Sequence, residues 1–170
     1  MIRIRQGRWR SRVLAGLWIG LLAVPVALVH AEETPAPWGS AAPVEQDYAG
    51  LKAVYDVTAG TPEALEDVLD HAAYLSRMTG DDPFDSHIVL VIHGDALDLF
   101  AREHFAEHET LMTRARGLTL NGVIEYRICQ AGAARRGYGP EDFHGFASVV
   151  PMADAEIVRL QQQDGYGYMR

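Results

Sequence analysis

The chain is nearly devoid of cysteine: Cys129 stands alone among 170 residues. A lone cysteine excludes an internal disulfide and any C-x-x-C pair, so the thiol is buried and inert, bridged to another molecule, or reactive. The nucleotide signatures are missing too. The stretch VTAGTPEA, which follows the first predicted strand, lacks the G-x-G-x-x-G spacing of a dinucleotide site, and no phosphate loop or long-period repeat is present. Positive charge is scarce, with 15 basic residues against 23 acidic ones. A net charge of −8 repels phosphate backbones and disfavours a nucleic-acid partner.

What basic charge there is collects at the start. Arg3, Arg5, Arg8, Arg10 and Arg12 precede an apolar run from Val13 to Val29, and Val29-His30-Ala31 has the small-residue pattern of a cleavage site. Residues 1–31 therefore read as a secretory signal, and the product as a periplasmic protein free of the membrane once cleaved. The rival reading is a retained anchor. The run is 17 residues and is broken by Gly16, Gly20 and Pro25, short for a span of about 20 residues. No Arg-Arg pair marks a twin-arginine leader. Cleavage after Ala31 removes five arginines and no acid, leaving 139 residues with 10 basic and 23 acidic side chains, net −13. That length suits one domain.

Residues 32–50, with Pro35, Pro37 and Pro43, show no period and read as a flexible lead-in. The domain proper is expected over 51–170. LKAVYDV (51–57) is short and rich in β-branched and aromatic residues, a strand. Thr61-Pro62-Glu63 supplies an N-cap, a proline at the first helical position and an early acid, and Gly80 closes that helix. HIVLVIH (87–93) encloses five successive apolar residues, the pattern of a strand covered on both faces. A helical region follows over 96–116, in one or two pieces. Strands are expected at 123–128, 147–150 and 166–169, and helices at 130–136, from Pro140 onward, and at 154–163. This alternation predicts an α/β fold: a three-layer α/β/α sandwich around a mostly parallel sheet of about five strands.

Sites on such sheets lie beyond the carboxyl ends of the strands. Asp56, His93 and Cys129 each fall at or near one of those ends. Cys129 runs directly into a predicted helix, whose free amides, those of Gln130 and Ala131 first, favour the thiolate that attacks sulfur. Arg135 and Arg136 lie about 9–10 Å further along that helix and read as its C-terminal cations. Glu103, His104, Glu107 and His108 form E-H-x-x-E-H, which puts two histidines on one helical face. Phe105 stands where the zinc-protease motif needs its glutamate, so the motif fails and a solvated face is the plainer reading. No metal and no cofactor is expected.

With Cys129 placed, the chain from Leu51 to Arg170 resembles the DsrE/DsrF-like family, the sulfur-relay subunits of the Tus and Dsr systems, and among them the exported single-domain members. The resemblance rests on VIHGDAL (91–97), GVIEYRIC (122–129), the C-x5-R-R-G run (129–137) and EIVRLQQQDGYGYMR (156–170). It implies a flavodoxin-like layer fold, assembly into homo-oligomers (trimers or hexamers), and a Cys129 that accepts a sulfane sulfur as a persulfide. His93 would assist, with Asp56, Gln130 and Ala131 at the substrate. The partners would be a sulfur donor or acceptor, protein or small compound. The alternative is a non-catalytic oligomeric binding module in which Cys129 is structural.

Overall fold

Five parallel strands form one sheet in the order β4-β3-β2-β1-β5 in a computed structural model that describes residues 38–170. The leader read at 1–31, and the lead-in as far as residue 37, lie outside the described residues. Residues 38–48 are exposed and carry no strand or helix, and Val44–Arg170 is one compact unit. No helix among the described residues is long and apolar enough to cross a membrane.

The strands are β1 (Lys52–Val57), β2 (His87–Ile92), β3 (Ile124–Cys129), β4 (Ala147–Val150) and β5 (Gly167–Met169). Each of the four between-strand segments carries helix: α1 (Pro62–Met78), α2 (Ala96–Phe100) with α3 (Phe105–Leu118), α4 (Gln130–Arg136) and α5 (Ala153–Asp164). The central strand β2 is buried from Ile88 to Ile92, as its unbroken apolar run requires. Helix α1 begins as its sequence dictates: the Ala64 N–H donates to Thr61 Oγ1 at 3.2 Å, and Pro62 takes the first turn. Gly80 just beyond its end adopts φ +89°, the left-handed state that ends helices.

The region 96–116 takes the two-piece form, because Ala101 is extended (ψ 132°) and bridges antiparallel to Phe143; a 3-10 turn (Arg102–His104) separates α2 from α3. One expectation changes. The helix expected after Pro140 is only a 3-10 turn, Pro140–Asp142, because that same bridge pulls Phe143 out into extended backbone.

The strand order fixes the layers. From β1 to β4 the chain steps in one direction, so right-handed crossovers put α1 to α4 on one face; β4 to β5 reverses, which puts α5 on the other. The packing follows. Leu65, Leu69, Leu97, Phe100, Met112 and Ala133 join Ile88, Leu90, Tyr126 and Ile128 on the first face. Ala153, Ile157 and Leu160 of α5 meet Val54, Val89, Val91 and Cys129 on the second. The result is a three-layer α/β/α sandwich whose strand order, 4-3-2-1-5, differs from the 2-1-3-4-5 of flavodoxin.

Tyr126 is fully buried in the larger core, against Phe100 and Phe146, yet its hydroxyl has no hydrogen-bond partner among the described residues. An unpaired buried hydroxyl costs about 1–3 kcal/mol. Tyr126→Phe is therefore expected to raise stability by about 1 kcal/mol in a denaturant titration, and a loss of stability would show that the hydroxyl has a partner.

Candidate functional site

The carboxyl edge of the sheet carries two groups of functional side chains. The first joins three strands. Asp56 of β1 points to the α5 face by strand alternation, as does His93 one residue beyond β2. His93 Nε2 and Asp56 Oδ1 lie 2.5 Å apart, and the Tyr168 hydroxyl of β5 donates to Asp56 Oδ2 at 2.7 Å. Burial opposes ionisation of Asp56, but the hydrogen bonds from His93 and Tyr168 and the charge of Arg170 outweigh it and hold the carboxyl below its usual range. The same carboxylate pushes the Tyr168 hydroxyl up. With Nε2 committed to Asp56, His93 keeps Nδ1 for another proton partner, and both side chains are partly open to solvent.

Cys129 forms the second group. It ends β3 and caps α4: the Gly132 N–H donates to Sγ at 3.3 Å, and so does the Ala153 N–H, at the start of α5, also at 3.3 Å. Two helices on opposite faces thus begin at one sulfur. This place has a topological cause. The chain leaves β3 toward one face and β4 toward the other, which makes their carboxyl ends a switch point of the kind where open α/β sheets carry their sites. Backbone donors at helix starts suit an anionic acceptor there. Cys129 is nevertheless buried, at 4% exposure.

The pairing of Ile92 with Ile128 puts His93 and Cys129 level on neighbouring strands, about 4.8 Å apart in backbone spacing, and on the same face. No hydrogen bond joins them among the described residues. The amides that reach Sγ are not those of Gln130 and Ala131: the Ala131 N–H donates to the Pro151 carbonyl at 3.1 Å, and Gln130 is exposed. Arg136 pairs with Asp95 and Asp98, tying the end of α4 to the start of α2, in keeping with a structural role.

Tyr168 was not apparent from sequence. Its only signal is parity: pairing of Val54 with Tyr168 brings it beside Asp56, but that pairing needs the strand order. A network below Cys129 was equally hidden. Arg127 bonds Glu125 of its own strand, at 2.9 and 3.0 Å, and Glu156 of α5. Glu125 faces His87 Nε2 at 3.5 Å, while His87 Nδ1 meets the Tyr166 hydroxyl at 2.5 Å. The E-H-x-x-E-H residues do not make a two-histidine face. His104 belongs to the 3-10 turn and sits near Glu103 and Glu107, and His108 lies at a kink (φ −121°, ψ 24°). Among the described residues, no three side chains of the metal-ligating types cluster to hold an ion.

No family model and no curated protein matches the sequence. The structure is similar to a solved structure, MTH1491 from Methanobacterium thermoautotrophicum, a protein of unknown function. The TM-score is 0.58 at 16% identity, over 71% of this chain and 98% of that one. At that identity the likeness is one of fold: the chain shares the α/β architecture of MTH1491.

Proposed function

We propose that the protein handles sulfur through Cys129, as a persulfide carrier or sulfurtransferase accessory. The observation that supports this best is the place of Sγ, at the carboxyl edge of the sheet beside β4, with two backbone N–H donors on it. The thiolate attacks the outer sulfur of a sulfane donor. A new S–S bond forms at Sγ, the donor's own bond to that sulfur breaks, and the donor leaves with the electron pair. The persulfide then gives up its outer sulfur to an acceptor in the reverse sense. In this reading the Asp56–His93 pair, level with Cys129 on the neighbouring strand, takes the thiol proton on the ring nitrogen that Asp56 leaves free. The resemblance to DsrE/DsrF-like proteins points the same way and implies a homo-oligomer, and the arginine-led leader read at 1–31 implies a periplasmic location after its removal.

One observation favours a second reading, a binding module with a structural cysteine: the burial of Cys129 among Val89, Val91 and Ile157. Intact mass spectrometry separates the two. Incubation with a sulfane donor is expected to add about 32 Da per sulfur, reversed by a thiol reductant and lost in Cys129→Ser. A protein that gains no mass, and whose thiol resists alkylation until it is unfolded, is the binding module.

A further inference from the structure

Tyr168 stands on β5, the short strand at one free edge of the sheet, and close to half of its surface is exposed. Water alone could satisfy a hydroxyl in such a place. Instead it reaches across to β1 and donates to Asp56 Oδ2 at 2.7 Å, while Asp56 Oδ1 lies 2.5 Å from His93 Nε2. One line of hydrogen bonds thus runs from β5 through β1 to the end of β2. We infer that Tyr168 is a positioning residue: it holds the Asp56 carboxylate so that Nε2 of His93 keeps its proton and Nδ1 stays the open, proton-accepting nitrogen. Its bearing on Cys129 rests on the reading proposed above, in which that nitrogen takes the thiol proton.

The tautomer follows from a count of donors. An ionised carboxylate only accepts. Burial opposes ionisation of Asp56, but the hydrogen bonds from His93 and Tyr168 and the charge of Arg170 prevail. The Tyr168 hydroxyl, pushed up by the same carboxylate, keeps its own proton. Each oxygen of Asp56 then has one donor, and a neutral His93 ring must carry its hydrogen on Nε2. Nδ1 is left with its lone pair and has no hydrogen-bond partner among the described residues. The side chain is 22% exposed, so this nitrogen is not sealed in the core.

A single hydrogen bond would not fix this arrangement. The terminal torsion of an aspartate is broad and roughly two-fold, so a carboxylate held at Oδ1 alone can turn and offer its other oxygen. The hydroxyl on Oδ2 removes that freedom. Asp56 then orients the imidazole without itself reacting, as carboxylates do in nucleophile–histidine–carboxylate triads. No hydrogen bond joins Tyr168 to His93 or Cys129 among the described residues, so its influence passes through Asp56. The competing role is a plain pin of β5 to β1, which predicts a loss of stability and no change at the ring.

The test is long-range ¹⁵N–¹H correlation of the His93 ring at about pH 8, above the ordinary titration range of histidine. The rate of sulfur uptake by Cys129 is read by intact mass on the same proteins. Wild type is expected to hold the Nε2–H form. Tyr168→Phe keeps the aromatic ring and removes the hydroxyl; it is expected to mix the two tautomers and to slow uptake about tenfold without reducing its final extent. Asp56→Asn can turn either its oxygen or its NH₂ to the ring and is expected to slow uptake about a hundredfold or more. Met169→Ala trims β5 and spares the hydroxyl; it is expected to lower the unfolding midpoint and leave tautomer and rate as in wild type. A wild-type ring in the Nδ1–H form overturns the proposal, and so does a Tyr168→Phe ring that keeps the wild-type tautomer. Equal mixing in Met169→Ala also overturns it, since the strand and not the hydroxyl would then be the determinant. A mixed tautomer with an unchanged rate overturns the link to Cys129. Wild type that takes up no sulfur sinks the sulfur-handling reading instead, and the ring spectra still decide the role of Tyr168.

Discussion

Replacing Arg127 with alanine is expected to destabilise the protein by about 2–3 kcal/mol and to open Cys129 to alkylation. The guanidinium lies between two carboxylates on different layers, Glu125 on β3 and Glu156 on α5. Its side chain is 15% exposed and that of Glu156 is 12%, so water screens the pair poorly. Removal leaves two half-buried carboxylates facing each other; Glu156 keeps Arg159, and Glu125 keeps only His87 and Ser148. Breaking a buried pair costs about 3–5 kcal/mol, and partial exposure lowers that figure. The functional consequence follows from α5 being alone on its face. Its first N–H donor, from Ala153, ends on Cys129 Sγ, and its apolar side chains cover the sulfur. Loosening the Glu156 clamp therefore loosens the lid. Urea unfolding should show the loss of stability, and the rate of maleimide labelling should rise at least about tenfold. The control is Arg114→Ala, whose pair with Asp70 on the surface is worth at most about 1 kcal/mol. Equal labelling of Arg127→Ala and wild type would show that α5 does not depend on this ion pair.

Acid is expected to unfold the protein in two stages. Burial holds His87 and His144 below the ordinary histidine value, and for His87 it prevails over the attraction of Glu125. The unfolded chain then takes up protons first as pH falls. The stability from these neutral rings is complete above about pH 6.5 and is lost as pH drops through their folded values. The second stage is larger because three carboxylates share it. Burial opposes ionisation of Asp56 and Glu125, but His93 and Tyr168 outweigh it at Asp56, as Arg127 does at Glu125; at Glu156, Arg159 leads and Arg127 adds. All three sit below the usual carboxylate range. Their contribution is present above that range and disappears as pH falls through the lowered folded values. Thermal midpoints from pH 8 to pH 3 should be level at the top, sag below pH 6.5 and fall steeply below pH 4.5. A flat midpoint from pH 7 to pH 5 would contradict the burial assigned to the two histidines.

The elements were legible because local chemistry and burial agree in them. The run from Ile88 to Ile92 has no polar residue, and all five are buried. Thr61 and Pro62 start a helix by rules that need no tertiary contact. Asp56 and His93 could be placed at the carboxyl edge for the same reason, and the structure joins them. What stayed hidden depends on long-range order. Nothing local says that β5 lies beside β1, so Tyr168 could not be set against Asp56. Glu125 and Arg127 look like the solvated side of a strand, and only the return of α5 across that face buries them. The amides on Sγ were misplaced for a related reason: the one in α4 comes from Gly132, a residue past Ala131, whose N–H the carbonyl of Pro151 claims, and Ala153 comes from a helix 24 residues on.

The single helix over the Cys129 face also has a kinetic meaning. The sheet from β1 to β4 and the four helices on its other side are complete in the chain before Ala153 is made. Helix α5 and β5 can dock only afterwards, and β5 must then close a loop of more than a hundred residues to reach β1. During synthesis and refolding the sulfur of Cys129 is therefore among the last core atoms to be covered. A thiol reagent present in that interval meets an open cysteine on an otherwise assembled sheet. Pulse labelling during refolding should catch Cys129 after the opposite face has already become protected.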